Sequence, residues 1–328
     1  MKKLILILPV LALMSFANRV GPVFMPQPKG FVYIPTGTTH IGGKQISNHA
    51  FWMSSTEVTN EEYQAYLDAV SIESPPIKAI YGRPDTNVIN HQLWISKYHS
   101  YFEDPLFAKF PVVGLDRVMM EDYAEWLSAE LKKKHPEWEF NFRLPTKHEW
   151  QFAAMGGRDN NKFPWGGPFV RNSKGCVLMH YFDLDQRFAV YGEDAPLAMT
   201  FDKEMPDTLS KAEYDKILQS TKNLKKTKRK HFGKSLPLIG LPVPADSYFP
   251  NDFGLFNMSG NVAELTSDNE AVGGSFKTTS EYCKIKDATA YPFDASKPQP
   301  DLGFRLVCSY EGVSYDKNGN KIKLEDAK

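Results

Sequence analysis

Cysteine is scarce in this chain: three in 328 residues, at positions 176, 283 and 308. A fold of this size cannot rest on a disulfide framework with so few. In an oxidising compartment two could pair, so a Cys283–Cys308 bridge and three buried free thiols both stay open at this stage. An excess of either charge is missing as well, with 39 Lys and Arg against 39 Asp and Glu. Nothing in that balance points to nucleic acid or to an anionic membrane. No apolar run reaches the roughly 20 residues that a spanning helix needs. There is no βαβ alternation, no Gly-rich phosphate loop and no Gly-x-Ser-x-Gly elbow. His40, His49, His91, His99, His148, His180 and His231 are scattered without zinc spacing and are expected to be surface or satisfied core side chains.

What the chain does have is apolar bulk. Apolar residues make up 42% and aromatic residues 13%, enough for a substantial core in one large domain or two ordinary ones. Residues 1–17, MKKLILILPVLALMSFA, carry the marks of a secretory signal peptide: Lys2 and Lys3, the run Leu4 to Leu13, and Ser15-Phe16-Ala17 before a cleavage point. No Cys stands near that point, so no lipid is expected there, and the mature protein is expected to be soluble outside the cytoplasm. Residues 18–30 form a Pro/Gly-rich linker. Phe31 to Pro35 predicts a strand, and Thr38 to Gly43 a second strand returning from the Thr36-Gly37 turn.

Two helix starts stand out. Thr59 with Glu62, and Thr146 with Glu149, are each spaced as a capping box. The first opens a helix with Tyr63, Tyr66, Leu67 and Val70 on its apolar face, and the second a helix ending at Gly156-Gly157. Between them, residues 71–109 are expected to be a long surface excursion, and 121–134 a helix with Tyr123, Trp126, Leu127 and Leu131 at helical spacing. Phe163 to Gly167 predicts a turn around an aromatic pair. Residues 184–235 change character and are taken as a charged insertion. Its basic run, Lys225, Lys226, Lys228, Arg229 and Lys230, suits a solvated face or docking onto an anionic partner. Val272 to Phe276 and Gly303 to Cys308 predict strands, and residues 313–328 a frayed polar tail.

The chain is organised around Asn251 to Asp268, NDFGLFNMSGNVAELTSD. Gly and Asn tolerate the left-handed backbone of a tight wrap. Side-chain oxygens of Asn257 and Glu264, with carbonyls between them, suit calcium; a turn whose polar side chains bond their own backbone is the alternative.

Taken together, FVYIPTGTTHIGG, WMSSTEVTNEEYQAYL, FPVVGL, YAEWL, RLPTKHEWQFAAMGG, FPWGG, DFGLFNMSGNVAE, GGSF and GFR resemble, in order, the sulfatase-modifying-factor or formylglycine-generating-enzyme family. The resemblance covers most of residues 31–308. It implies an α+β fold, a compact loop-rich domain related to C-type lectins, over residues 31–312. It also implies calcium held by Asn257, Gly260, Val262 and Glu264. The oxidase of the family binds Cu(I) between two thiolates five positions apart. The second falls here on Cys283 and the first on Thr278, whose hydroxyl is a poor Cu(I) ligand. Ala263 stands where the family places Trp, and the loop from Asp268 to Val272 is short. No formylglycine-generating activity and no copper are therefore expected.

WGGPFVRNSKGCVLMHYF, Trp165 to Phe182, is similar to a segment of the non-catalytic gliding-motility and type IX secretion proteins within the family. That similarity implies a scaffold or ring partner among envelope proteins, in the periplasm or at the outer membrane. An enzyme using Cys283, alone or with Cys308, and a lectin-like binder are the competing expectations.

Overall fold

The computed structural model describes residues 23–41, 43–72, 76–90, 100–182, 189–192, 195–199, 241–286, 294, 296–309, 312–315 and 321–323. The predicted signal peptide and the basic run at 225–230 lie outside them. The chain divides into two compact units, Gln27–Ser309 and a small one made of its two ends.

The larger unit is built on a short antiparallel sheet. Its strands run in the order Phe31–Ile34, Phe51–Ser54, Val307–Ser309, Phe142–Arg143. Phe31–Ile34 therefore does not pair with the strand that follows it. Gly37–Ile41 instead pairs with Lys44–Asn48, which corrects the expected hairpin. The register closes with Ile41 opposite Lys44, so the reversal of this hairpin lies after Ile41 and not at Thr36-Gly37, which only redirects the chain. A second small sheet joins Ala271–Val272, Ala263–Leu265 and Leu302–Gly303, the last parallel to the middle strand. The predicted strands at 272–276 and 303–308 are shorter than expected. Gly273 and Gly274 take positive φ and end the first, and the second breaks at Phe304 to Leu306.

Helix α1, Asn60–Val70, starts in the predicted capping box, with Glu62 accepting from the Thr59 backbone N–H at 2.9 Å. Two short helices follow, α2 over Ile77–Tyr81 and α3 over Asn87–Asn90. Helix α4, Arg117–Lys134, begins four residues before the apolar periodicity suggests, because the Asp116 side chain caps the Met119 N–H at 3.0 Å. Helix α5, Lys147–Met155, uses the second predicted capping box. Tyr63 and Tyr66 of α1 pack on Tyr123 of α4 at ring-centroid distances of 5.6 and 5.7 Å. Tyr123 meets Phe304 at 5.7 Å, which ties both helices to the chain leading into the central sheet.

Residues 101–110 are not a surface excursion. Tyr101, Phe102, Phe107 and Phe110 are buried, with exposures of 1–5%. Asn60 fixes this stretch by donating to the carbonyls of Tyr101 and Phe107 at 3.1 and 2.9 Å. Within the insertion, the described backbone forms a hairpin of Ala189–Gly192 with Ala195–Met199. In the small unit, Gly312–Tyr315 pairs with Val23–Phe24 and with Lys321–Lys323. The linker and the tail thus contribute strands where loose chain was expected. Among the described residues no helix is long and apolar enough to cross a membrane.

Candidate functional site

The wrap from Asn251 onward forms because its residues accept left-handed backbone where it is needed: Asn257, Gly260 and Asn261 have φ of 51°, 78° and 64°. Main-chain bonds then fix the loop. The N–H of Phe256 donates to Ser55 O at 2.8 Å, that of Gly260 to Gly273 O at 2.8 Å, and that of Asn261 to His180 O at 2.7 Å.

Beneath the loop lies a fully buried ionic cluster. Glu57, Glu264 and Arg305 are each 0% exposed. The Arg305 guanidinium donates to both Glu264 oxygens at 2.6 Å, and also to the carbonyls of Phe256 and Ser54 at 2.8 and 3.2 Å. Trp150 Nε1 completes Glu264 at 2.7 Å. The amides of Asn261 and Asn257 donate to the two Glu57 oxygens at 2.9 and 3.3 Å.

This arrangement decides how calcium would fit. The structure places Asn257, Gly260 and Val262 on the loop and Glu264 in the strand Ala263–Leu265 that follows it, but it gives Glu264 another cation. Asn257 meanwhile points its amide nitrogen at Glu57 and at Ala245 O, at 3.0 Å from the latter. What the four residues keep for a metal is one amide oxygen and two carbonyls. Calcium takes about six to eight oxygens, carboxylates among them, and a guanidinium 2.6 Å from the only carboxylate of the set repels a divalent cation. Among the described residues no three His, Cys, Asp or Glu side chains gather as a metal site. The four residues as arranged do not fit calcium, and Arg305 stands as the loop's cation.

Two buried carboxylates share that one guanidinium. Burial pushes the Glu57 carboxyl up to about 8, with Arg305 pulling it down and Glu264 pushing it further up. A carboxyl raised on folding holds its proton in the native state after the unfolded chain has lost it. Its contribution to stability is complete below about pH 4.5 and is lost as pH rises towards 8. In that window one extra bound proton gives a slope of about 1.4 kcal/mol per pH unit. Melting of Glu57→Gln against wild type between pH 5 and pH 8 is expected to lose this slope; parallel curves would count against a protonated Glu57.

The second site lies at Cys283. The structure brings Thr278 and Cys283 together, with Oγ1 and Sγ 3.7 Å apart, and Cys283 packs in a buried apolar cluster with Phe163 and Met179. Cys283 is 0% exposed. Its thiol is pushed up to about 12, chiefly by burial, against the Thr278 hydroxyl and the Gly260 backbone, which lower it. A protonated thiol beside a hydroxyl does not fit Cu(I), which needs soft thiolates. Ser259 Oγ donates to the Cys283 carbonyl at 2.7 Å, linking this site to the loop above the ionic cluster. None of Cys176, Cys283 and Cys308 is joined in a disulfide. Cys308 lies in the central sheet opposite Trp52 and Phe142, so the bridge to Cys283 does not form.

Glu57, Trp150 and Arg305 lie within the family motifs, but the sequence alone assigns them no role. A buried Arg facing buried acids is their common signal, but the partners lie 41 to 248 positions apart in the chain.

Residues 19–194 and 210–310 match a family model described as sulfatase-modifying factor enzyme 1-like domain. The formylglycine-generating enzyme of Mus musculus is 30% identical over 140 residues, 42% of this chain and 25% of that protein. The match therefore spans a quarter of the mouse enzyme's length. The formylglycine-generating enzyme of Thermomonospora curvata is 21% identical over 276 residues, 73% of this chain and 71% of that protein. Among solved structures, PvdO from Pseudomonas aeruginosa aligns over 88% of this chain and 99% of its own, at 17% identity and a TM-score of 0.48.

Proposed function

Since the chain belongs to the sulfatase-modifying factor enzyme 1-like family, we propose that it is a member without oxidase chemistry that works as a binding or assembly component. The observation that carries this reading is the pair at the thiol site. Thr278 stands 3.7 Å from the Cys283 sulfur, where the copper chemistry of the resemblance calls for a second thiolate. The thiol that is present is buried and held protonated. A nucleophile needs the thiolate and access to it, so burial also argues against an enzyme built on Cys283 alone. Cys308, in the central sheet, is no nearer to solvent at 0% exposure.

For the setting we favour an envelope assembly of the gliding-motility and type IX secretion kind, outside the inner membrane. The support is the likeness of Trp165 to Cys176 together with the missing first thiol. A monomer on gentle extraction from its own envelope would remove that support.

The test of the catalytic reading is an oxidation assay on Cys-containing peptides with copper supplied. No turnover is expected, and native Cys283 should resist alkylation until the protein is unfolded, with Cys176 labelling first. Turnover that disappears in Cys283→Ser would overturn the proposal.

A further inference from the structure

A cleft of about 380 Å³ opens between helix α4 and the edge strand Phe142–Arg143. Glu121, Ala124, Glu125 and Ser128 fall at i, i+3, i+4 and i+7 of α4, so a single helix face lines one wall. The floor is apolar. Ala124, Phe140, Phe142 and Leu144 are buried, with exposures of 2–6%, and the Phe140 and Phe142 rings stack 6.1 Å apart with planes 5° apart. Glu121 and Glu125 stand on the rim, with side chains 50% and 73% exposed. The outer edge of the strand is closed at Phe142. Its N–H already donates to Ser128 Oγ at 3.0 Å, and that hydroxyl donates to the Ala124 carbonyl at 2.9 Å. An extended peptide finds no main-chain donor there.

The hydrogen-bonding capacity of the cleft is unevenly spent. Its cations are committed. Arg143 donates to both Glu149 oxygens at 2.8 and 2.7 Å, and to the Leu144 carbonyl at 3.1 Å. Arg117, beside the rim, donates to Glu121 at 2.8 Å and to the Ser267 carbonyl at 3.1 Å. Lys78 donates to Glu125 at 3.0 Å and stands 3.6 Å from Asp122. Lys147 pairs with Glu270 at 2.8 Å. The acids are not used up. Glu121 and Glu125 each accept one bond, through one oxygen, where a carboxylate has about four acceptor sites. With the partners included, Glu121, Asp122 and Glu125 face only Arg117 and Lys78. Asp268, next to Ser267, adds an acid whose bond goes to the Lys147 main-chain N–H at 2.6 Å. Acceptors above an apolar floor are what the cleft has to offer.

We propose that this cleft binds a small organic amine, its ammonium bonded to the open oxygens of Glu121 and Glu125 and its apolar body laid on Phe140, Phe142 and Leu144. Charge complementarity selects the amine over a carboxylate, because every base at the cleft already has an acid. The volume lies near the lower end of the about 300–1,000 Å³ of small-molecule sites. Together with the closed strand edge, this selects a small molecule over a protein segment. Neither Thr278 nor Cys283 lines the cleft, so the inference does not depend on the non-catalytic reading, and the oxidation assay does not bear on it.

The test is calorimetric titration of the full-chain protein with phenethylamine and, separately, with phenylpropionate, which carries a carboxylate on the same phenethyl body. The amine is expected to bind saturably, about fivefold or more tightly than the acid, and to shift the amide NMR signals of Ala124, Asn141 and Ser267. Raised salt should weaken it. Glu121→Gln and Glu125→Gln should each lower the affinity about two- to fivefold, the worth of an exposed ion pair, and the double variant should lose the preference for amine over acid. Glu103→Gln, which does not line the cleft, should bind as wild type does. An unchanged melting temperature in the Gln variants separates lost contact from lost fold. The proposal is overturned if the amine does not saturate, if the acid binds as tightly, if the shifted signals lie elsewhere, or if the double variant keeps the preference. A short Lys-containing peptide that binds more than about tenfold more tightly than the free amine would overturn the small-molecule assignment in favour of a protein segment.

Discussion

Arg305→Met is expected to destabilise the protein by about 3–5 kcal/mol, the cost of leaving a buried charge without its partner. The side chain is 0% exposed and donates to both oxygens of the Glu264 carboxylate and to the carbonyls of Phe256, Ser54 and, at 3.5 Å, Ser55. Its charge is kept there against burial, which works to lower its affinity for the proton, by Glu264 first and Glu57 second. Removing it strands Glu264 beside Glu57 in a medium where neither can be hydrated. The loss compares with the whole stability of an ordinary domain, about 5–15 kcal/mol. Arg305→Lys should also be costly, because a single ammonium cannot reproduce the planar fork that reaches the carboxylate and the two carbonyls together. Arg305→Met combined with Glu264→Gln should recover much of the loss, since removing both charges is far cheaper than removing one. Denaturant unfolding of the three variants measures this. A loss below about 1 kcal/mol for Arg305→Met would mean that the pair is not what holds the loop. The same unfolding curve should be unmoved by excess chelator, because the cation that bridges loop and sheet is a side chain; a chelator-sensitive midpoint would restore calcium to the site.

How much of this could be read from the chain alone follows from the range of each interaction. The two capping boxes were legible because their partners lie three positions apart: Thr59 with Glu62 and Thr146 with Glu149 both form as spaced. The Phe163–Trp165 turn was legible for the same reason. The aromatics from Tyr101 to Phe110 were not. Their flanks are rich in Pro, Gly and polar residues, and their backbone is made a core element by bonds from Asn60 and Glu61, some 40 positions earlier, and from Ala245, far later in the chain. Strand pairing failed at Phe31–Ile34 because the alternation that predicts a strand does not name its partner, and Phe51–Ser54 lies beyond the intervening hairpin. At the candidate sites the pattern is sharper. That Thr278 faces Cys283 follows from five positions and the family likeness, and the structure places them 3.7 Å apart. That Glu264 belongs to Arg305 could not follow from spacing, since an acid in a Gly/Asn loop suits a metal and an arginine equally well until the fold brings one of them there.

Gly260→Ala separates these two accounts of the loop. If Gly260 were needed only for its carbonyl, alanine would serve, because the substitution keeps the carbonyl. The structure gives a different reason for glycine. Its φ is +78°, and an added Cβ would stand 2.2 Å from the His180 carbonyl oxygen and 2.9 Å from its carbon. Those atoms are backbone and already accept the Asn261 N–H at 2.7 Å, so they cannot give way without breaking the loop's own closure. The left-handed conformation alone costs a residue with a Cβ about 1–2 kcal/mol, and forcing a methyl into packed surroundings adds about 1–3 kcal/mol. Gly175→Ala supplies the control. It shares a φ of +77° but has no atom within 4 Å of the new methyl, so it should show the conformational part alone. Thermal and denaturant unfolding of the two variants are expected to differ by the contact with His180, with Gly260→Ala the weaker protein. The Cys283 thiol should become accessible to alkylation in the same variant, because the Ser259 bond that fixes the Cys283 backbone springs from the same loop. Equal losses at positions 175 and 260 would show that the close approach to His180 is not a constraint on this loop.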